Sequence, residues 1–186
     1  MNSNLSRTMV ALAATMTLGT ACFANSGNPM VGGAAMYNTR NIVENAVNSQ
    51  DHTTLVAAVK AAGLVDTLAS PGPFTVFAPT DAAFAKLPAG TVETLVKPEN
   101  KAALTEILTY HVVPGTYTAQ QIAALASQQG GTATLKTVEG ENLQFTEGPD
   151  GGWVVIDSKG GKARITVANV MQSNGVIHVI DAVAMP

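Results

Sequence analysis

The residues whose types could do chemistry in this chain are three histidines, a pair of glutamates, an aspartate and one cysteine. His178 and Asp181 have the types of a general base and its orienting carboxylate. They stand three apart in a segment patterned as a strand, so their side chains leave opposite faces, and a hydrogen bond between them would need a bulge. Glu139 and Glu141 are two apart, which would put both carboxylates on one face as glycoside hydrolysis requires. They flank Gly140 at a hairpin tip, which reads as an exposed turn. His52, His111 and His178 lie far apart, with no His-x-x-x-His spacing, and Cys22 has no second cysteine with which to seed a metal site. Gly160-Gly161-Lys162 lacks the upstream Gly and the following Ser or Thr of a phosphate loop. No Gly-x-Ser-x-Gly turn occurs. Trp153 follows Pro-Asp-Gly-Gly and opens a strand, which reads as a core or rim position rather than a sugar-stacking platform. The expectation is a protein that is not an enzyme, with no catalytic residues, no metal site and no cofactor.

Composition narrows the partners. Hydrophobic residues make up 46% and charged residues 12%, which excludes a disordered chain. A formal net charge of −3 leaves no footprint for nucleic acid and no basic patch for anionic lipid. Arg7, the apolar run Met9 to Leu18 and the small residues Gly19, Thr20 and Ala21 have the order of a secretory signal. Cleavage after Ala24 puts Cys22 and Ala24 at the −3 and −1 positions. The apolar run is about half the ~20 residues of a membrane span, and no later stretch is long enough to cross a bilayer. Cys22 keeps a second reading as a lipid acceptor, with cleavage between Ala21 and Cys22; Gly19 stands where a lipobox usually has Leu, which points to the free secreted form. The expected division is a signal peptide over 1–24, a flexible leader over 25–36 and one domain over 37–186. Its location is secreted or periplasmic.

The elements that must position these residues follow from caps and periodicity. Asn41 with Glu44 makes a capping box for a helix through Val47; Asp51 is placed to cap a second helix, with Gly63 at its end. Pro71-Gly72-Pro73 stops the helical region, and Phe74 to Phe77 reads as a short buried strand. Thr80 caps a helix from Asp81 to Leu87, with Asp81 at the positive end of its dipole. Thr91 opens a turn, Pro98 starts a helix to about Thr109, and Thr118 with Gln121 caps the last helix before Gly130-Gly131. From Thr132 the pattern alternates, giving strand candidates over 133–138, 142–146, 153–157, 163–170 and 176–183. Asn174-Gly175 is a hairpin signal between the last two. Helices first and strands later imply an α+β fold.

Three stretches, in order, carry a resemblance. Phe74-Thr75-Val76-Phe77-Ala78-Pro79-Thr80-Asp81-Ala82-Ala83-Phe84 resembles the first signature of fasciclin-type (FAS1) domains; Tyr110-His111-Val112-Val113 is similar to their central Tyr-His motif; Asn174-Gly175-Val176-Ile177-His178-Val179-Ile180-Asp181 is similar to their second signature. The chain resembles the small single-domain secreted bacterial members. The resemblance implies a β-sandwich or wedge with a cluster of α-helices, and adhesion by contact with a cell-surface or matrix protein, or a polysaccharide.

The resemblance also implies contact positions at Tyr110, His111, Asn169 and Val170. Asn169-Val170 stands where animal matrix members have Asp-Ile, and Asn lacks the carboxylate that an integrin metal site coordinates, so integrin binding does not carry over. Phe74, Val76, Thr80, Asp81, Asn174, Gly175, His178 and Asp181 read as core, turn and capping residues. The second functional reading is a carrier of a small apolar ligand in a cleft between helices and sheet.

Overall fold

The computed structural model describes residues 28–186; the signal segment, with Cys22 and the cleavage position after Ala24, lies outside them. The helices start where the caps put them. Asn41 Oδ1 accepts from Glu44 N and Glu44 Oε2 accepts from Asn41 N, closing the capping box of α1 (Ile42–Ala46). A 3-10 turn over Gln50–His52 leads into α2 (Thr53–Ala62), which ends at Gly63, and α3 (Val65–Ala69) follows. Thr80 Oγ1 accepts from Ala83 N to open α4 (Asp81–Ala85). Next come α5 (Thr91–Leu95), α6 (Lys101–Tyr110), and α7 (Ala119–Gln128) with its Thr118/Gln121 capping box.

The strands are β1 (Met30–Val31), β2 (Ala34–Ala35), β3 (Phe74–Pro79), β4 (Val112–Pro114), β5 (Thr132–Lys136), β6 (Asn142–Glu147), β7 (Trp153–Ile156), β8 (Lys162–Gln172) and β9 (Gly175–Ile180). Seven of them form one sheet in the order β4-β3-β9-β8-β7-β6-β5. The long strand β8 belongs to both halves: Lys162–Arg164 pair with β7, and Ile165–Gln172 pair with β9 through two register shifts. Bulges of this kind bend a strand and raise its twist, so the sheet curls. Its ends approach each other, Val138 N donating to the Val112 carbonyl at 2.8 Å.

The curl produces two cores. On one face Val76, Ala78, Ile177 and Val179 meet Leu55, Val59, Leu104 and Leu108 of α2 and α6. On the other, Phe77 and Ile180 meet Ile122 of α7 and Leu143, Phe145 and Val155 of the second half-sheet. Full burial of each such side chain is worth about 1.5–3 kcal/mol. The α+β class inferred from the sequence holds.

Two local expectations change. From Met30 onward the expected flexible leader is a β1–β2 hairpin whose Val31 and Met36 are buried. Gly32 allows it to dock: its carbonyl accepts from Gln50 N, and a Cβ there would meet Ser49 Oγ at 2.3 Å. Asp51 makes no capping bond to α2, which has no side-chain cap of its own.

The β8–β9 turn fixes the helices to the sheet. Its two-residue tip is Ser173-Asn174, and Gly175 already pairs with Gln172 in the ladder. Asn174 Oδ1 accepts from Ile42 N at 3.0 Å, while Nδ2 donates to the carbonyls of Leu68 at 2.7 Å and Ser70 at 2.8 Å. One side chain thereby joins the start of α1 and the end of α3 to the hairpin. Replacing it strands buried backbone groups, each costing about 1–3 kcal/mol. Asn174→Ala is expected to lower stability by about 3 kcal/mol in urea unfolding. Asn174→Asp is expected to do no better, since it presents oxygen to two carbonyls.

Candidate functional site

The two signature segments lie side by side. β3 and β9 run parallel with Phe74 opposite Gly175 and Phe77 opposite His178. At Gly175 a Cβ would stand 1.9 Å from the Phe74 carbonyl oxygen, so the pairing requires glycine. The His178 ring stacks on Phe77, with centroids 5.5 Å apart and planes 17° from parallel. Asn169 N–H can only donate, and it faces His178 Nδ1 at 3.4 Å; the ring proton therefore sits on Nε2 and is donated to the Tyr117 carbonyl at 2.8 Å. Burial lowers the His178 pKa more than the Tyr117 carbonyl raises it, so the ring is neutral.

The Tyr-His motif closes α6. Tyr110 is 0% exposed; its hydroxyl donates to the Asn142 carbonyl at 3.1 Å and accepts from Ser158 N at 2.9 Å. Burial raises its pKa, against the opposing pull of the Ser158 hydrogen bonds. His111 is 3% exposed: Nε2 accepts from Ala184 N at 3.1 Å and Nδ1–H donates to the Ile107 carbonyl at 2.8 Å. Desolvation again outweighs the favourable carbonyl and Asp157, and holds this ring neutral. Both residues offered by the resemblance as contact positions thus spend their polar atoms inside the fold.

Asn169 and Val170 are placed similarly. Asn169 sits at the β8 irregularity with φ 59°, a left-handed conformation that Asn tolerates. Its Oδ1 accepts from Ala119 N at 2.7 Å, at the first turn of α7. Val170 is 0% exposed in the core under the helices.

Asp81 has a second role that the sequence reading does not contain. It does stand in the first turn of α4, and its carboxylate also accepts from Thr53 Oγ1 and from the Thr53 and Thr54 amides, at 2.6, 3.3 and 2.8 Å, and caps α2. Partial burial pushes its pKa up, but the hydrogen bonds from Thr53 and Thr54 prevail and hold it below the usual carboxylate value. Asp181 accepts from Arg164 N at 2.7 Å and meets Lys86 Nζ at 3.3 Å. His178 and Asp181 therefore form no pair. Glu139 Oε2 accepts from Glu141 N at 3.1 Å within an exposed turn. Trp153 is half-buried against the second core.

Sequence reasoning missed two polar anchors. Thr75 Oγ1 donates to the Gly115 carbonyl at 2.7 Å and accepts from Tyr117 N at 2.8 Å. His52 is the third buried histidine, its Nδ1 at 2.8 Å from Ser49 Oγ and its Nε2 without a partner. Desolvation lowers its pKa, with the Ala78 carbonyl, Asp51 and Asp81 pulling the other way. Thr75 lies inside the first signature, but nothing local marks a threonine in an apolar strand as the partner of the Gly115 and Tyr117 backbone, and His52 lies outside all three signatures.

Chemically, the arrangement binds its own backbone. Among the described residues no group of three or more His, Cys, Asp or Glu side chains is placed to hold a metal ion, and no helix is long and apolar enough to cross a membrane. An α+β domain whose two signature strands pair in parallel over inward-facing motif residues is a fasciclin-type domain. The Fasciclin domain family model matches residues 50–186, and the chain belongs to that family. It is 49% identical over 159 residues to protein sll1483 of Synechocystis sp., covering 84% of this chain and 79% of that one. It is 40% identical over 147 residues to the immunogenic protein MPB70 of Mycobacterium bovis, covering 76% of this chain and 66% of that protein. The fold is similar to that of a FAS1 domain pair from the insect cell adhesion molecule Fasciclin I, with a TM-score of 0.70 and 22% identity over 83% of this chain and 52% of the other.

Two outcomes follow from the electrostatics. The three histidines have folded pKa values below the ordinary 6.5, so in acid the unfolded chain takes up protons that the folded one refuses. Their contribution is complete above about pH 6.5 and is lost as the pH falls through that value toward the folded pKa values, at up to ~1.4 kcal/mol per pH unit for each proton. Urea midpoints measured from pH 8 to pH 5 should be flat at first and then decline. Asp81→Ala should cost about 1–2 kcal/mol at pH 7, and the difference from wild type should shrink as the pH falls from about 3.9 through the lower folded pKa, where the wild-type carboxylate takes up its own proton.

Proposed function

We propose that this chain is a secreted or periplasmic, non-enzymatic adhesion and recognition module that acts by contact with a cell-surface or matrix protein, or a polysaccharide. The observation that carries the reading is membership of the fasciclin family, a family of adhesion and extracellular-matrix proteins. His111 and His178 support it, since a neutral ring with both nitrogens engaged has no proton to exchange with a substrate.

Contact then falls to the surface. Tyr37 is 42% exposed, with the Arg40 guanidinium 4.8 Å from its ring centroid. The Arg40 carbonyl accepts from Ser173 N, which ties this pair to the strand end that carries exposed Met171. Tyr, Arg and Met are the types enriched at protein interfaces. Integrin contact through Asn169-Val170 has no support, because Asn169 is uncharged and Val170 is buried.

Cross-linking of the mature protein on its native cell surface should capture a specific envelope partner. Tyr37→Ala with Arg40→Ala should reduce that capture at least ~10-fold without moving the melting temperature, because interface anchors of these types carry ~2 kcal/mol or more. Undiminished capture would rule out this face, and no capture by the wild type would rule out the adhesion reading. The exported form should have the mass of a chain beginning at Asn25; a lipid-modified chain beginning at Cys22 would establish tethering instead.

A further inference from the structure

We propose that the apolar cavity between α1, α2 and the sheet is a binding site for a small neutral carbonyl compound, a ketone, aldehyde or ester, whose oxygen accepts a hydrogen bond from His52 Nε2. The cavity has a volume of about 50 Å³, and its walls include Val31, Leu55, Val76 and Ile177 together with Ser49 and His52. His52 is 3% exposed and its Nε2 has no partner at hydrogen-bonding distance and angle, although the Ala78 carbonyl lies near enough to favour the protonated ring. Protons decide what this nitrogen can bind. Ser49 is also buried, and its only side-chain hydrogen bond is to His52 Nδ1. If the hydroxyl donates to Nδ1, one group is left unpaired, the Nε2–H donor. If Nδ1–H donates to the hydroxyl instead, both the hydroxyl proton and the Nε2 lone pair are left unpaired. The first arrangement leaves fewer buried groups unsatisfied, so the cavity presents a donor and selects an acceptor.

Size and polarity limit the ligand further. At ~10–15 Å³ for each water-sized group, a space of this volume takes roughly three to five non-hydrogen atoms. A buried water wants two to four polar partners. His111 also lines the space but has both nitrogens engaged, and Lys60 is exposed, so among the described lining residues His52 offers the buried unpartnered donor on a wall that is otherwise mainly aliphatic. A molecule with one acceptor oxygen and an apolar remainder matches that wall. The site gives the apolar-ligand carrier a location and a headgroup, and it stands independently of the adhesion reading.

The full chain, labelled with nitrogen-15 and carbon-13, would be titrated with 2-butanone and separately with its hydrocarbon isostere 2-methylbut-1-ene while the His52 ring signals are followed. The ketone is expected to shift the Nε2 signal saturably and to bind about tenfold tighter than the hydrocarbon. In the wild type, contacts by nuclear Overhauser effect should appear between the ketone methyl groups and Val31, Leu55 and Val76. His52→Phe, which keeps a ring and removes the donor, should abolish the preference; the wild-type contacts test the site even if that variant does not fold. Equal binding of the two probes, no saturable shift up to the solubility limit, or a His52 N–H that still contacts water at saturating ketone would each overturn the proposal.

Discussion

The parallel pairing of Phe74–Pro79 with Gly175–Ile180 is the constraint from which the remaining architecture follows. Parallel strands cannot be joined by a tight turn, so α4 to α7 and β4 to β8 all lie in the connection between these two. Both faces of the pair are covered. Every residue of β9 and all of β3 after Phe74 are buried, which explains their near-continuous apolar runs. Helices α1, α2 and α6 pack on one face, and α7 with the curled second half of the sheet on the other. Gly175 permits the close approach to Phe74, and Asn174 beside it joins that junction to α1 and α3.

Burying so much of a chain rich in short elements creates a problem of unpaired backbone. Loops between short elements carry amides and carbonyls that no ladder satisfies, and each must find a partner. The motif side chains supply them. His178 binds the Tyr117 carbonyl, Thr75 the Gly115 carbonyl, His111 the Ala184 amide, Tyr110 the Ser158 amide and Asn169 the Ala119 amide. Residue types that suggest acid–base chemistry on paper serve here as struts between a strand and a loop. Their value lies in the ~1–3 kcal/mol that each unpaired group would otherwise cost.

This division also explains what could be read from the sequence. Capping boxes are contained within four residues, so Asn41/Glu44 and Thr118/Gln121 were legible and hold. The alternating strands after Thr132 were legible for the same reason, because a period of two shows within a few residues. β1, β2 and β4 span two or three residues each, too short for any period to appear. The Asn174-Gly175 signal located the hairpin but not its tip, because the tertiary demand for glycine against Phe74 moved Gly175 into the ladder. Asp81 was read by local rules as serving the nearest helix. It does stand there, and its carboxylate also reaches the start of α2, 27 and 28 residues back in the chain, a placement that only the folded topology creates.

The same logic locates what is particular to this chain. If the signature residues are consumed in making the fold, they cannot also discriminate between partners, because a buried and satisfied side chain presents nothing to another molecule. Under the adhesion reading proposed above, discrimination would fall to positions that the fold leaves free. The family match begins at residue 50, and the β1–β2 hairpin, Tyr37, Arg40 and α1 all precede it. That segment contributes Val31 and Ile42 to the cavity wall and the exposed Tyr37–Arg40 pair to the surface. Its attachment depends on a glycine turn seated against Ser49 and on Asn45, which bonds Tyr37 on one side and Gln172 on the other. The matched domain thus sets the frame, while the segment before it contributes to both the surface and the cavity wall.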